Sequence, residues 1–350
     1  MDMKRKVSLL SLLIAAGAAW QGCNGKGGGG AGAGTGGAVG TGGTGGSSQG
    51  GAGGGAGSGG SGGVGGSGGS GGVVGSGGTG LAGADAGAGG TGGTVDAGPP
   101  GPIRVLIWNT ALVYGHQSRI TAIPVLQARE ATDNIKFDVT YAHTVSVPEG
   151  TSDTTSDPSV FTDAGLDRYD VVFFLNTTGN TMDQDGQADT HRQALINFLG
   201  KGRGFVGTHS ATDTYQGTAW PWYVDFIGAN FASHSNAGTA GTATYHQNMT
   251  HAILTAATTP NPWNRTEEWY TFTRDPLSSA IPGIKILLDC TDTSITTQRP
   301  SAWVHEMPAQ NGARSGRMFY TAFGHYVSAF QEQSVMDLIV AGIKWVAYRL

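Results

Sequence analysis

Cysteine is almost absent from this chain: there are two in 350 residues, Cys23 and Cys290. If Cys23 is removed by processing or acylated, Cys290 has no partner and no disulfide supports the fold. Cys290 follows the strand-like run Lys285-Ile-Leu-Leu-Asp289 and reads as a small buried hydrophobe. Charge is scarce as well. The formal net charge is -5, and the only basic cluster lies in the first six residues, which argues against nucleic acid as a partner. No G-x-G-x-x-G follows the first apolar run, where Trp108-Asn-Thr-Ala-Leu-Val113 stands instead. A nicotinamide cofactor held by that device is therefore not expected, and neither is a flavin. Short H-x-x-x-H and H-x-E-x-H spacings are also missing, so no metal site is announced by local spacing.

Glycine, in contrast, is abundant: 62 residues, most of them between Cys23 and Gly101 in irregular GG-x, GSGG and GTGG units. Without a strict glycine triplet this is not collagen-like. Such a segment buries too little to offset its ordering entropy, and it is expected to be a disordered, flexible tether with a root-mean-square span of about 50 Å. Ahead of it, Lys4-Arg5-Lys6 precede an apolar run from Val7 to Ala19 that is too short for a stable membrane span. That pattern predicts an export signal. Gly22-Cys23 resembles a bacterial lipoprotein cleavage site, although Trp20 and Gln21 depart from the usual residues upstream. The expected organisation is a signal over 1–23, a Gly-rich linker over 24–101 and one folded domain over 102–350. The protein is expected to be exported, either anchored to the envelope by lipid on Cys23, its one contact with a membrane, or secreted.

Within the folded part, Ile103–Trp108 and Tyr169–Leu175 are nearly continuous apolar runs, as in strands covered on both faces. Ile135–Tyr141 alternates as a strand, and Phe205–Thr208 is a fourth. Helical patterns cover Ser118 to about Ala131, with Pro124 inside, and Gln187–Leu199, which stops at a Gly-Lys-Gly-Arg-Gly run. Pro148–Asp163 reads as a surface loop. Alternation of strand and helix with short joints predicts an α/β fold: a mostly parallel sheet with helices on both faces. Later, Thr242–His246, Trp269–Phe272, Ile284–Asp289, Ala302–His305 and Arg317–Ala322 read as shorter strands. Gln331–Tyr348 closes the chain as an amphipathic helix.

Two buried strands open into polar turns, at Asn176-Thr-Thr-Gly179 and at His209-Ser-Ala211. The carboxyl edge of an open α/β sheet is where ligands bind, so these turns are the candidate site. Of the nine histidines, His116, His209, His234, His251 and His325 fall in polar turns or near strand ends. Singly, each reads as a structural or surface residue. Gathered at one sheet edge, they suit a divalent metal such as Zn²⁺, or acid–base work near neutral pH. Glu267 and Glu268 are adjacent on an extended segment, so one is expected to enter a cleft while the other stays in solvent. Asp213 either orients an imidazole or caps the following helix. Tyr215, Trp220, Trp222 and Tyr223 either stack on sugar rings or pack a core.

Several segments, in one order, carry a resemblance to a known family. They are the first-strand segment through Tyr114-Gly-His116, Leu175-Asn-Thr-Thr-Gly179, Gly204-Phe-Val-Gly-Thr-His-Ser-Ala211 and Trp220-Pro-Trp-Tyr223. Gly228-Ala-Asn-Phe231 with His234, Glu267-Glu-Trp-Tyr270, Ala302-Trp-Val304 and Gly316-Arg-Met-Phe-Tyr320 with Gly324-His325 complete the set. From Arg104 to the C-terminus the chain resembles the trehalose-utilisation (ThuA-like) proteins. The resemblance implies a flavodoxin-like sheet of the class I glutamine amidotransferase type, with His209 where those enzymes present a catalytic cysteine. A thiol-ester mechanism is then not available. Two departures concern a metal: Thr250-His251-Ala252 lacks the His-Pro often found there, and the first loop has one histidine rather than an adjacent pair.

The resulting expectation is an enzyme of carbohydrate metabolism cleaving a disaccharide or keto-glycoside by hydrolysis or elimination. His209 and Glu268 are the candidate catalytic groups. His116, Asn176, Thr177, Asp213, Trp220, Tyr223, Tyr270 and His325 are the candidate substrate contacts, and His116, His234 and His325 the candidate metal ligands. The rival expectation is a non-catalytic carbohydrate-binding surface lipoprotein.

Overall fold

The computed structural model describes residues 101–279, 281–309 and 314–350. The expected export signal and glycine-rich linker lie outside the described residues. In chain order the first half contains β1 (Ile103–Trp108), α1 (Ser118–Ala128), α2 (Glu130–Asp133), β2 (Ile135–Asp138), α3 (Asp163–Leu166) and β3 (Val171–Leu175). Then come α4 (Ala188–Gly200), β4 (Gly204–Thr208), a 3₁₀ turn over His209–Asp213, and α5 (Pro221–Ile227). The second half runs β5 (Asn230–His234), β6 (Thr239–Tyr245), α6 (Ala252–Ala256), β7 (Trp263–Glu267) and β8 (Tyr270–Arg274). It ends with α7 (Pro276–Ser279), β9 (Ile284–Asp292), β10 (Arg299–Glu306), β11 (Arg317–Thr321) and α8 (Gln333–Val346).

Nine strands form one sheet in the order β2-β1-β3-β4-β11-β10-β9-β6-β7. The pairs from β2 to β11 are parallel. The pairs from β11 to β7 are antiparallel, so β10 and β6 run against the other seven strands. The sheet is thus mixed but mostly parallel. β5 and β8 make a separate two-stranded ribbon in which His234 lies opposite Tyr270.

Alternation along the strands divides the core into two layers. Val105 and Ile107 of β1 pack with Ile123 and Leu126 of α1 and with Leu338 and Ile339 of α8. Leu106 and Trp108, on the opposite face, pack with Leu195 and Phe198 of α4 and with Tyr223 of α5. Successive strand residues point to opposite faces, so an apolar run without polar interruption needs helices on both sides, and here it has them. Cys290 is free and buried, and burial pushes its thiol up to about 12.

Four differences from the sequence reading are physical. β5 and β7 were not anticipated, because Asn230-Phe-Ala-Ser-His234 and Trp263-Asn-Arg-Thr-Glu267 lack apolar alternation; β5 is mostly exposed along its length. The first helical pattern is broken after Ala128 into α1 and α2, and Pro124 sits inside α1. The Pro148–Asp163 stretch contains a 3₁₀ turn at Pro158–Val160, capped by the Asp157 side chain, and reaches the start of α3. Glu267 and Glu268 are both buried, at 1% and 7% exposure, so neither stays in solvent.

Candidate functional site

The strands β1, β3, β4 and β11 are adjacent and parallel, so their carboxyl ends share one edge of the sheet. The turns leaving these strands therefore converge there: His116 comes after β1, Asn176 after β3, His209 after β4 and His325 after β11. The ring centres of His116 and His209 are 4.6 Å apart, those of His116 and His325 5.1 Å, and those of His209 and His325 5.4 Å. Their potential ligand atoms lie within 4.8 Å of one another.

Two of the turns carry backbone strain. Asn176 and His209 have φ of 50° and 45°, in the left-handed region that costs a residue with a Cβ about 1–2 kcal/mol. The Asn176 side chain holds that conformation: Nδ2 donates to Gly324 O at 2.8 Å and to Ser118 Oγ at 2.9 Å, and Thr208 donates to Oδ1 at 2.7 Å. Asn176 thereby ties the start of α1, the end of β4 and the residue before His325 into one buried unit. Thr177 shares a 2.7 Å hydrogen bond with Thr214 and is likewise buried. Both of these expected substrate contacts are fully buried, with their side chains engaged in hydrogen bonds within the protein.

His209 is fully buried. Its Nδ1 is 3.0 Å from the carbonyl oxygen of Ala322, an acceptor, so Nδ1 carries the proton and Nε2 the lone pair. Tyr270 donates its hydroxyl to that Nε2 at 2.9 Å. Burial, aided by the neighbouring imidazoles and opposed by Glu268, lowers the His209 pKa to about 4. The ring is neutral at physiological pH. Burial pushes the Tyr270 phenol well up, so it remains a donor.

Glu268 is the hub. Its Oε2 lies 3.0 Å from His325 Nδ1, out of line for a hydrogen bond but close as an ionic contact, and 3.5 Å from His209 Nε2. Its Oε1 lies 3.5 Å from His234 Nδ1. Burial disfavours the Glu268 charge, yet His209 and His325 outweigh that and hold it far below the usual carboxylate range. Burial would lower His325, but Glu268 prevails and raises it. His116 is lowered by burial against the opposing pull of Glu149, whose Oε1 is 2.9 Å from His116 Nδ1.

This donor set fits a divalent cation. Three imidazoles whose ligand atoms lie this close together suit Zn²⁺. A carboxylate on His116 Nδ1 and a backbone carbonyl on His209 Nδ1 are the partners that orient metal-binding histidines; His116 Nε2 is then a ligand atom, and His209 Nε2 becomes one where a cation displaces the Tyr270 hydroxyl. The group differs from the one expected: His209 belongs to it and His234 does not. His234 lies on the ribbon, its side chain 42% exposed, with Nδ1 2.7 Å from Ser235 O on the outer side of Glu268.

Other expected roles change with burial. Trp220 and Tyr223, expected to touch substrate, are 7% and 0% exposed and stack on each other in the core layer at 5.7 Å. Tyr223 donates its hydroxyl to Ala211 O, and the Arg192 guanidinium covers Trp220 and Tyr215. They are pillars under the His209 turn. Asp213 neither orients His209 nor caps α5; its carboxylate accepts from Gln216 Nε2. His251 caps α6 through Ile253 N and packs on Trp345, away from the cluster.

Glu149 and the Arg265–Glu267 pair were not anticipated. Glu149 is 33 residues from His116 in a loop without periodicity, so no local pattern joins them. Glu267 Oε1 accepts from Arg265 Nη2 at 2.8 Å and from Gly324 N at 3.2 Å, just ahead of His325.

A sheet of this kind with an imidazole at the strained turn after β4 defines a flavodoxin-like protein of the class I glutamine amidotransferase type, without the thiol. The family model for trehalose utilisation, ThuA, matches residues 104–346, and the chain belongs to that family. It is similar in structure to a ThuA-like protein from Bacteroides uniformis, at 21% identity and a TM-score of 0.52, over 71% of this chain and 93% of that one. The glutaminase domain of Trypanosoma brucei CTPS, solved with bound acivicin, aligns at 9% identity with a TM-score of 0.41, over 71% of this chain and 93% of that one. No curated protein matches the chain significantly. Family membership assigns it a carbohydrate-related function in general.

Proposed function

We propose that the protein is an exported, lipid-tethered enzyme that cleaves a disaccharide or keto-glycoside by hydrolysis or elimination at the His116–His209–His325 cluster. The observation that carries this reading is the convergence of three imidazoles, with ligand atoms within 4.8 Å, around the buried carboxylate of Glu268. Nothing else among the described residues gathers as many groups able to move protons on the carboxyl edge of the sheet.

The roles derive from the contacts. A keto group acidifies the adjacent C–H, and ionised Glu268 is the group placed to receive that proton or one from water. His325, whose pKa Glu268 raises, is placed to return a proton to the departing glycosidic oxygen when no cation is held there. His209, neutral and fixed in one tautomer, accepts a hydrogen bond at Nε2 from Tyr270, or from a sugar hydroxyl that displaces it. A divalent cation would be held by His116, His209 and His325, and when bound it supplies Lewis acidity toward a sugar oxygen or enolate.

The test is turnover of disaccharides and their keto derivatives by the wild type, His209→Ala and Glu268→Gln. Each substitution is expected to lower kcat by about a hundredfold or more. Full activity in either variant defeats its assigned role. Calorimetric heat from sugars without product from the wild type makes the protein a carbohydrate receptor instead.

A further inference from the structure

We propose that Tyr114 and Tyr326 form an aromatic rim that seats a pyranose ring of the substrate beside the histidine cluster, an inference that rests on the carbohydrate reading above. Each imidazole of the cluster has its own tyrosine. The ring centres of Tyr114 and His116 are 4.9 Å apart, those of Tyr270 and His209 4.4 Å, and those of Tyr326 and His325 4.5 Å. The three tyrosines differ in depth. Tyr270 is buried and gives its hydroxyl to His209. Tyr114 is 37% exposed and carries its ring outward from the imidazoles, whereas Tyr326 is partly buried with its hydroxyl enclosed beside Gly238, so it contributes to the rim without its hydroxyl.

A sugar ring has an apolar C–H face that matches an aromatic side chain, and its hydroxyls then project sideways toward polar groups. The aromatics that the sequence suggested for this task, Trp220 and Tyr223, are buried in the core and cannot perform it. Tyr114 also has a firm backing. A Cβ built on Gly150 would lie 3.3 Å from its ring, so the loop that supplies Glu149 to His116 packs directly against it. The same two loops also expose Val113 and Val145, at 65% and 77%. A substrate with a ring on this rim and its reacting bond at the histidines is a glycoside of at least two units, not a free monosaccharide.

The experiment is calorimetry and steady-state turnover of the full chain with trehalose, maltose, cellobiose and their keto derivatives. Wild type is compared with Tyr114→Ala, Tyr114→Phe, Tyr326→Ala and Tyr326→Phe. The alanine variants are expected to raise Kd and KM about tenfold each while leaving kcat within about twofold, and the phenylalanine variants to stay within about twofold throughout. Tyr114→Leu, which keeps apolar bulk without a ring, is expected to behave like Tyr114→Ala, and its unfolding midpoint shows that the effect is not loss of fold. Wild-type binding that survives in both alanine variants overturns the rim and leaves the carbohydrate reading intact. Failure of the wild type to bind or turn over any of these sugars overturns that reading, and the rim with it.

Discussion

The buried carboxylate of Glu267 accepts the backbone N–H of Gly324 at 3.2 Å, one residue before His325, while its neighbour in sequence, Glu268, meets the His325 ring itself. One glutamate sets the backbone and the other sets the charge of the same histidine. Gly324 has a φ of 125°, which glycine adopts without strain, and the Glu267 contact holds it there.

Removing the Glu267 charge should therefore destabilise the fold. Arg265 and Glu267 are an ion pair with side chains 5% and 1% exposed, and Glu267→Gln leaves Arg265 with Glu332 at 3.2 Å as its one remaining anionic partner among the described residues. Stripping a buried charge of its main partner costs about 3 kcal/mol. Urea unfolding of the variant, with the slope unchanged, reads that loss.

Glu149→Gln tests the cation site without touching a ligand. The carboxylate on His116 Nδ1 would orient the ring and raise its basicity, and losing such a partner weakens metal affinity by about 10- to 100-fold. Competitive titration of chelator-stripped protein with Zn²⁺ measures it. Equal affinity in wild type and variant removes Glu149 from the site.

Asp213→Asn has a pH signature. Burial raises the Asp213 pKa to about 6, with the Gln216 contact opposing. The folded state thus binds this proton more tightly than the unfolded state, and wild-type stability falls as pH rises from about 4 through 6. A shift near two units corresponds to about 3 kcal/mol, and partial exposure reduces that to about 1–2 kcal/mol. The asparagine variant should be more stable than wild type by that amount at pH 8, with the advantage gone below about pH 4. Thermal melts across that range decide the sign.

Gly115→Ala is expected to disrupt the loop that carries His116. A Cβ there would lie 2.0 Å from Thr151 O and 3.1 Å from Arg119 Nη2, and neither can retreat freely because Arg119 is a buried partner of Asp153. Overpacking of this kind costs about 1–3 kcal/mol. The unfolding midpoint and sugar turnover should fall together, because Gly150 donates to Gly115 O in the loop that brings Glu149 to His116.

How much of this was legible along the chain depends on how local each feature is. The apolar runs of β1, β3 and β4 report burial on both faces within five or six residues, and that is enough to predict a parallel sheet and to place His209 just beyond a strand end. The polar strands β5 and β7 carry no such signal. Their pairing with β8 and β6 comes from partners elsewhere in the chain.

The residues alone determined the layered α/β scaffold and the wealth of imidazole in its polar turns, because side-chain periodicity reports which faces of an element must be covered. Only the tertiary structure decided which imidazoles meet. The register of β4 against β11, Gly204 opposite Arg317, brings His325 beside His209, and the β5–β8 ribbon holds His234 to the outer side of Glu268. Burial sorted the aromatics in the same way: Trp220 and Tyr223 filled the core beneath the turn, and Tyr114 was left partly exposed beside His116. Each outcome depends on contacts between segments many residues apart, which no window along the sequence contains.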